Sequence, residues 1–214
     1  EALEIAGAYR IGECEWILSW LGKEGLYMSD LCTMNDQFDS VLEDAIELGR
    51  SFVQPKYWGS RALDYLWQGI GAYLSHNPHV KYMYGPVSIS GSFPKHAQEA
   101  LVYFYTLYFG ADHTMVRAKS PFRLSEYVQN EFKSLFSGDN YNDDFRVLKD
   151  YLKALDVSVP TLYKQYSELC DEGGVEFMDF GIDTDFNNCI DGYILVDIRK
   201  IKEVKRQRYI NNAV

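Results

Sequence analysis

The stretch "IELGRSFVQPKYWGSRALDYLWQGIGAYL", Ile46 to Leu74, decides how the rest of the chain is read. Leu48–Val53 reads as a strand, with Glu47 just before it and Arg50 inside it. Pro55 and Gly59 mark a turn. From Ser60 to Leu74 the residues Ala62, Leu63, Leu66, Trp67, Ile70, Tyr73 and Leu74 recur at spacings of three and four, which predicts an amphipathic helix. Side chains alternate across a strand, so Glu47 and Ser51 share one face while Leu48 and Arg50 share the other. Either a bulge intervenes between Glu47 and Arg50 or the two serve different sites. A strand that bulges beside a helix N-terminus can splay and offer main-chain groups to an extended ligand, and the helix amides suit a phosphate or pyrophosphate. Gly59 permits close backbone approach there, with Lys56 and Arg61 adding positive charge.

Outward from this unit, residues 3–11 alternate loosely as a strand, 13–22 read as strand-like or irregular, and 28–45 contain a short helix-prone stretch. Tyr82–Ser90, "YMYGPVSIS", is a strand with a Gly-Pro break. Pro94 opens a helix that runs to about Phe109 and is closed by Gly110. Residues 111–160 read as a helical insertion, with helices near Leu124–Phe136 and over 144–156. Pro160 starts another helix, stopped by Gly173-Gly174, and Val175–Phe180 and Ile190–Ile198 read as strands. No internal repeat or low-complexity linker divides the chain, so one domain over 1–214 is the expectation.

The 214 residues are 47% hydrophobic and 15% aromatic, which is a globular composition. The net charge of −10 argues against general nucleic-acid binding. Cys14, Cys32, Cys170 and Cys189 lack metal or redox spacing, and the four histidines form no ligand pair, so no metal site is expected. A reduced, cytoplasmic setting is the simplest reading. Between Arg199 and Arg208 lie six basic residues against one acid, Glu203. This stretch is either a solvated basic end, the favoured reading, or a peripheral contact with lipid head groups or an acidic partner.

The segments "ELGRSFVQPKY", "LWQGIGAYL", "YGPVSIS", "VPTLYKQYSEL" and "DFGIDTDFNNCIDGYILVDI" together resemble the GNAT superfamily of N-acyltransferases over nearly the whole chain. The branch most similar is that of the acyl carrier protein-dependent, hemolysin-like enzymes that make ornithine and glycine lipids. "ELGRS" also looks like the Glu-Leu-x-Arg element of acyl-homoserine-lactone synthases and long-chain N-acyl amino acid synthases. The resemblance implies an α/β fold: a mixed central sheet flanked by helices. In that family a strand, two helices and a strand precede the equivalent of "EIAGAYRI". Their absence here makes the chain read as a fragment of a larger protein. The HxxxxD signature of the O-acyltransferase domain fused in some relatives does not occur. The usual loop, Gln/Arg-x-x-Gly-x-Gly/Ala, carries Lys56 and Arg61 at its first and last positions here, which suits a phosphopantetheine phosphate or an acidic carrier better than a coenzyme A diphosphate.

The implied chemistry is attack by an amino-acid amine on a thioester carried by acyl-phosphopantetheine, from acyl carrier protein or acyl-CoA, with no tightly bound cofactor. Glu47 is the expected base, against the alternative of a strand-end carboxylate paired with Arg50. Arg50 either orients Glu47 or binds the acceptor's carboxylate. The donor is expected along Ser51, Phe52, Val53 and Gln54, with amides of the last three gripping the thioester and pantetheine arm, and at Lys56, Gly59, Ser60 and Arg61. Ser88 or Ser90 is a candidate donor to the carbonyl or leaving thiolate, against an ordinary polar strand role. The aromatic run from Tyr103 to Phe109 is an acyl tunnel or, preferentially, a core helix. Competing activities are an acyl-homoserine-lactone-type or acyl-CoA-dependent acetyltransferase and a non-catalytic carrier- or membrane-binding domain.

Overall fold

The computed structural model describes residues 3–211. The chain runs through β1 (Gly7–Glu13), α1 (Cys14–Leu21), α2 (Met28–Leu31), β2 (Cys32–Met34), α3 (Asp36–Leu42) and β3 (Ala45–Val53). It continues with α4 (Ala62–His76), β4 (Tyr82–Ile89), α5 (Lys95–Phe109), β5 (Val116–Ala118), α6 (Glu126–Leu135) and α7 (Tyr141–Ala154). The last elements are α8 (Thr161–Ser167), β6 (Val175–Asp183), β7 (Cys189–Asp197) and α9 (Glu203–Arg206). Five strands form one mixed sheet in the order β1-β3-β4-β7-β6, flanked by helices, which is the α/β architecture expected. Only β3 and β4 are parallel. Parallel neighbours need a long crossover, and α4 supplies it by burying Trp67, Ile70, Gly71 and Leu74.

Both faces of the sheet are covered. Along β7, Ile194 and Val196 join the apolar cluster under α4, α5, α7 and α8, while Tyr193 and Leu195 join the smaller one with Met28, Phe38 and Leu42 from α2 and α3. Hence β7 is almost continuously buried. The aromatic run of α5 is core: Phe104 and Tyr105 are fully enclosed, against Phe145, Tyr163 and Phe177.

Two local expectations are corrected. Residues 14–21 are helical, because Cys14 and Ile17 share a buried face at helical spacing while Trp16 and Trp20 point outward. The segment 111–160 is not purely helical: β5 pairs antiparallel with β2, and the isolated bridge Pro121–Gly181 ties the following loop to β6. Several cations of the basic end have partners within the fold, although Arg199 and Arg208 stay more than half exposed. Arg199 pairs with Asp197, Lys200 donates to Gly173 O, Lys202 to Glu168 O, Arg206 to Ile198 O, and Arg208 pairs with Asp64 in the first turn of α4. No helix among the described residues is long and apolar enough to cross a membrane.

The feature that positions everything else is an early parting of two strands. β3 and β4 pair only through Ala45–Tyr82, Ile46–Met83 and Glu47–Tyr84. β4, in contrast, stays in register with β7 along its whole length, from Tyr82–Asp197 to Ile89–Ile190. The divergence therefore belongs to β3. Pro86 has no N–H to give a neighbour in mid-sheet. On β3, the register with β1 slips between Ala8–Phe52 and Arg10–Gly49, so Arg50 and Ser51 face one residue, Tyr9, and Arg50 takes φ 49°. The bulge lies at Arg50 and Ser51 and not between Glu47 and Arg50, where the register from Glu47 to Gly49 is regular, and it bends β3 away. At the fork, a Cβ on Gly85 would lie 2.0 Å from Leu48 O.

Gly85→Ala must therefore push β3 and β4 apart at the fork or displace Leu48. A loss of about 2 kcal/mol or more in urea unfolding is expected, in the range of overpacked core sites; unchanged stability contradicts this account of the fork.

Candidate functional site

The parted strands enclose a cleft of about 640 Å³. One wall is Arg50, Ser51 and Phe52 of β3; the other is Pro86, Val87 and Ser88 of β4 with Asp191 of β7 behind them. Tyr27 and Asp30, around α2, and Asp183 and Phe186, at the β6–β7 hairpin, complete the rim. A larger hollow of about 1150 Å³ lies between the end of α5, α8 and α9, and it contains none of the expected site residues.

Glu47 lies behind the cleft and has no solvent exposure. Its Oε2 accepts from Arg10 Nη1 and from Tyr27 N, both at 3.0 Å, and its Oε1 accepts from Met28 N at 2.8 Å. The expected pairing with Arg50 is thus corrected: the partner is Arg10. The register explains it, because Glu47 faces Gly12 and Arg10 faces Gly49, which makes the two a diagonal cross-strand pair. A carboxylate with three donors anchors the Tyr27–Met28 segment against β3 and β1. Since Tyr27 lines the cleft, Glu47 positions that wall.

Arg50 is exposed within the bulge, with its guanidinium over the Tyr27 ring, 5.1 Å from the centroid, and it makes no ion pair among the described residues. Gln54 N–H donates to Ala6 O at 2.9 Å, so this expected donor-gripping amide is already committed to the sheet. Alternation along the β1–β3 ladder turns the Val53 main chain the other way, toward the parted side, where Trp58 Nε1 donates to Val53 O at 2.8 Å.

The other expected residues separate into two places. Lys56, Gly59, Ser60 and Arg61 form the turn into α4, past the end of the cleft lining. Gly59 has φ 75°, a value that favours glycine, and Ser60 Oγ accepts from Ala62 N at 3.2 Å. Lys56 pairs with Glu4, and Arg61 lies 3.5 Å from Asp64 and over the Tyr65 ring, all at the surface. Ser90 belongs to the turn before α5, sharing a 2.8 Å hydrogen bond with Ser92 and accepting from Ser92 N. Ser88 faces the cleft and donates to Asp191 Oδ1 at 2.6 Å.

Asp191 was not among the expected residues. It is 2% exposed. Burial pushes its carboxyl up to about 6; the Ser88 hydrogen bond works against that rise and the nearby Asp183 charge adds to it. Asp183 is fixed by the hairpin, accepting from Asp185 N and Phe186 N, while Asn187 and Asn188 take the left-handed conformations of the turn. The signal for Asp191 lay in "CIDGYILVD", where, apart from the terminal Asp197, a single acid interrupts a strand too apolar to face water. Among the described residues, Glu13, Glu15 and His79 have ligand atoms close enough to share a cation, but none of them lines the cleft.

Residues 1–68, which run from β1 into α4, match the family model of the acetyltransferase (GNAT) domain. The chain is 30% identical to a glycine N(alpha)-acyltransferase of Bacteroides thetaiotaomicron and 29% identical to one of Phocaeicola vulgatus. Both alignments take in 100% of this chain, and 65% and 68% of the respective relatives, so the chain spans about two-thirds of their length. No solved structure matches it. The mixed sheet agrees with the GNAT-domain likeness of residues 1–68.

The Glu47 geometry makes a quantitative prediction. In a double-mutant cycle read by urea unfolding, Glu47→Ala and Arg10→Ala are coupled by more than about 1 kcal/mol, whereas Glu47→Ala and Arg50→Ala add within about 0.5 kcal/mol. Glu47→Ala alone costs about 3 kcal/mol, because it strands a cation and two amides. Coupling to Arg50 instead contradicts the assignment.

Proposed function

We propose that this chain moves a long-chain acyl group from acyl carrier protein to the amine of an amino acid, forming an amide-linked lipid precursor. The observation that carries the reading is the parting of β3 from β4 after Glu47–Tyr84, beside a cleft whose β3 wall is Arg50–Phe52. An acyl-pantetheine arm lying along β3 meets unzipped main chain there, as an added strand meets a sheet edge. The Val53 N–H is the candidate to stabilise the oxyanion as the amine attacks; one such donor contributes about 3 kcal/mol to a transition state.

Two further features support the finer reading. Lys56 and Arg61 stand exposed at the entry turn, Lys56 paired with Glu4 and over the Tyr57 ring, Arg61 paired with Asp64 and over the Tyr65 ring. Such pairs are worth about 0–1 kcal/mol, so the phosphate of a carrier-borne pantetheine displaces them at little cost. Arg50, without an acid of its own among the described residues, can bind an acceptor's carboxylate in bidentate fashion while the amine points to the thioester. Glycine, the acceptor in the names of the two relatives, is the first to test. Glu47 then acts in the reaction through Tyr27 and the α2 segment, as a positioning residue.

The test incubates the protein with acyl carrier protein thioester or with acyl-CoA, each with single amino acids. Thiol release and the mass of the amide product are followed. Faster thiol release from the carrier thioester, with an N-acyl amino acid formed, is expected, and Arg50→Ala raises KM for the amino acid about tenfold or more with the donor KM unchanged. Equal or better use of short acyl-CoA assigns the second, acetyltransferase reading. No thiol release from either donor overturns the proposal.

A further inference from the structure

The attacking amine enters as an ammonium, and the residue expected to deprotonate it, Glu47, has both oxygens occupied and no opening to the cleft. We propose that Asp191, held by Ser88, accepts that proton. The inference rests on the acyl-transfer reading above.

The geometry is specific. Ser88 on β4 and Asp191 on β7 are register partners, and their 2.6 Å hydrogen bond fixes Asp191 Oδ1. Asp191 Oδ2 accepts no hydrogen bond among the described residues, and Asp191 lines the cleft. The other carboxylates of the cleft are placed differently: Asp30 and Asp185 are exposed, and Asp183 holds the hairpin amides. The charged and titratable groups facing Asp191 from neighbouring elements are Asp183 and Asp185, Tyr27 and Asp30, Arg50, and Tyr163 of α8. On its own strand they are Cys189 and Tyr193. Burial sets its proton affinity near that required of a base at neutral pH.

In the step itself, Asp191 Oδ2 takes one proton from the acceptor's ammonium, and the freed nitrogen lone pair forms the C–N bond at the thioester carbon. The tetrahedral intermediate collapses with loss of the C–S bond, whose electron pair leaves on sulfur. The nitrogen gives up a second proton. One of the two protons ends on the pantetheine thiol, from Asp191 directly or through the Ser88 hydroxyl, and the other leaves to solvent. Amide, thiol and one released proton balance ammonium and thioester.

The test is the pH dependence of kcat/KM for the amine at saturating acyl donor, over about pH 5 to 9. Wild type is expected to show an acidic limb with an apparent pKa near 6. Asp191→Asn lowers kcat/KM by about 100-fold or more and abolishes that limb. Ser88→Ala removes a hydrogen bond to the ionised form, so the limb moves to higher pH; Asp183→Asn removes a repelling charge, so the limb moves to lower pH. A purely structural role for Asp191 does not move the limb in opposite directions. If Asp191→Asn fails to fold by circular dichroism, the Ser88 and Asp183 variants decide alone. An acidic limb retained in Asp191→Asn, or left in place in both other variants, overturns this inference while leaving acyl transfer intact. Absence of thiol release from wild type overturns the reading beneath it.

Discussion

The structure depends on a parallel strand pair that closes for three residue pairs and then opens. Two opposed requirements meet at Glu47–Tyr84. Below it, β3 and β4 are held together by the α4 crossover and by the buried residues Ile46 and Met83. Above it, Pro86 withholds a donor, the Arg50–Ser51 bulge turns β3 aside, and Gly85 leaves room for Leu48 O at the fork. β4 is not free to follow β3, because its other edge is zipped to β7 throughout. The cleft is the volume left between a strand that bends and a strand that cannot.

Polar groups around that volume fall into two kinds. Glu47, Arg10 and the amides of Tyr27 and Met28 satisfy one another, so they hold position behind the cleft wall. Ser88, Asp191 and Arg50 each retain a face toward the cleft. Enclosure alone does not identify a reacting group, since Glu47 is the more buried of the two acids. The distinguishing property is an oxygen that accepts no hydrogen bond among the described residues, on an acid that lines the cleft.

Much of the local architecture was legible in the residues. Helix α4 was readable because its apolar side chains recur at one helical face, and strand β4 because a short run of β-formers precedes a helix-starting proline. Helix α1 was missed because its apolar residues are split between a buried face, Cys14 and Ile17, and an exposed one, Trp16 and Trp20. That split blurs the period. Strands β2 and β5 were missed because three residues each is too short to carry an alternation.

Local sterics and periodicity act over a few residues, and that range covers the β3–turn–α4 unit and the Gly85-Pro86 break, while the bulge falls at Arg50–Ser51. Which cation meets Glu47, and which carboxylate faces the cleft beside Ser88, are decided by sheet order and register. Arg10 and Glu47 are 37 positions apart in the chain, and Ser88 and Asp191 are 103 apart. Only packing of the whole sheet brings such partners within hydrogen-bond distance, so the strand and its fork belong to the sequence, while the chemistry set around the fork belongs to the tertiary structure.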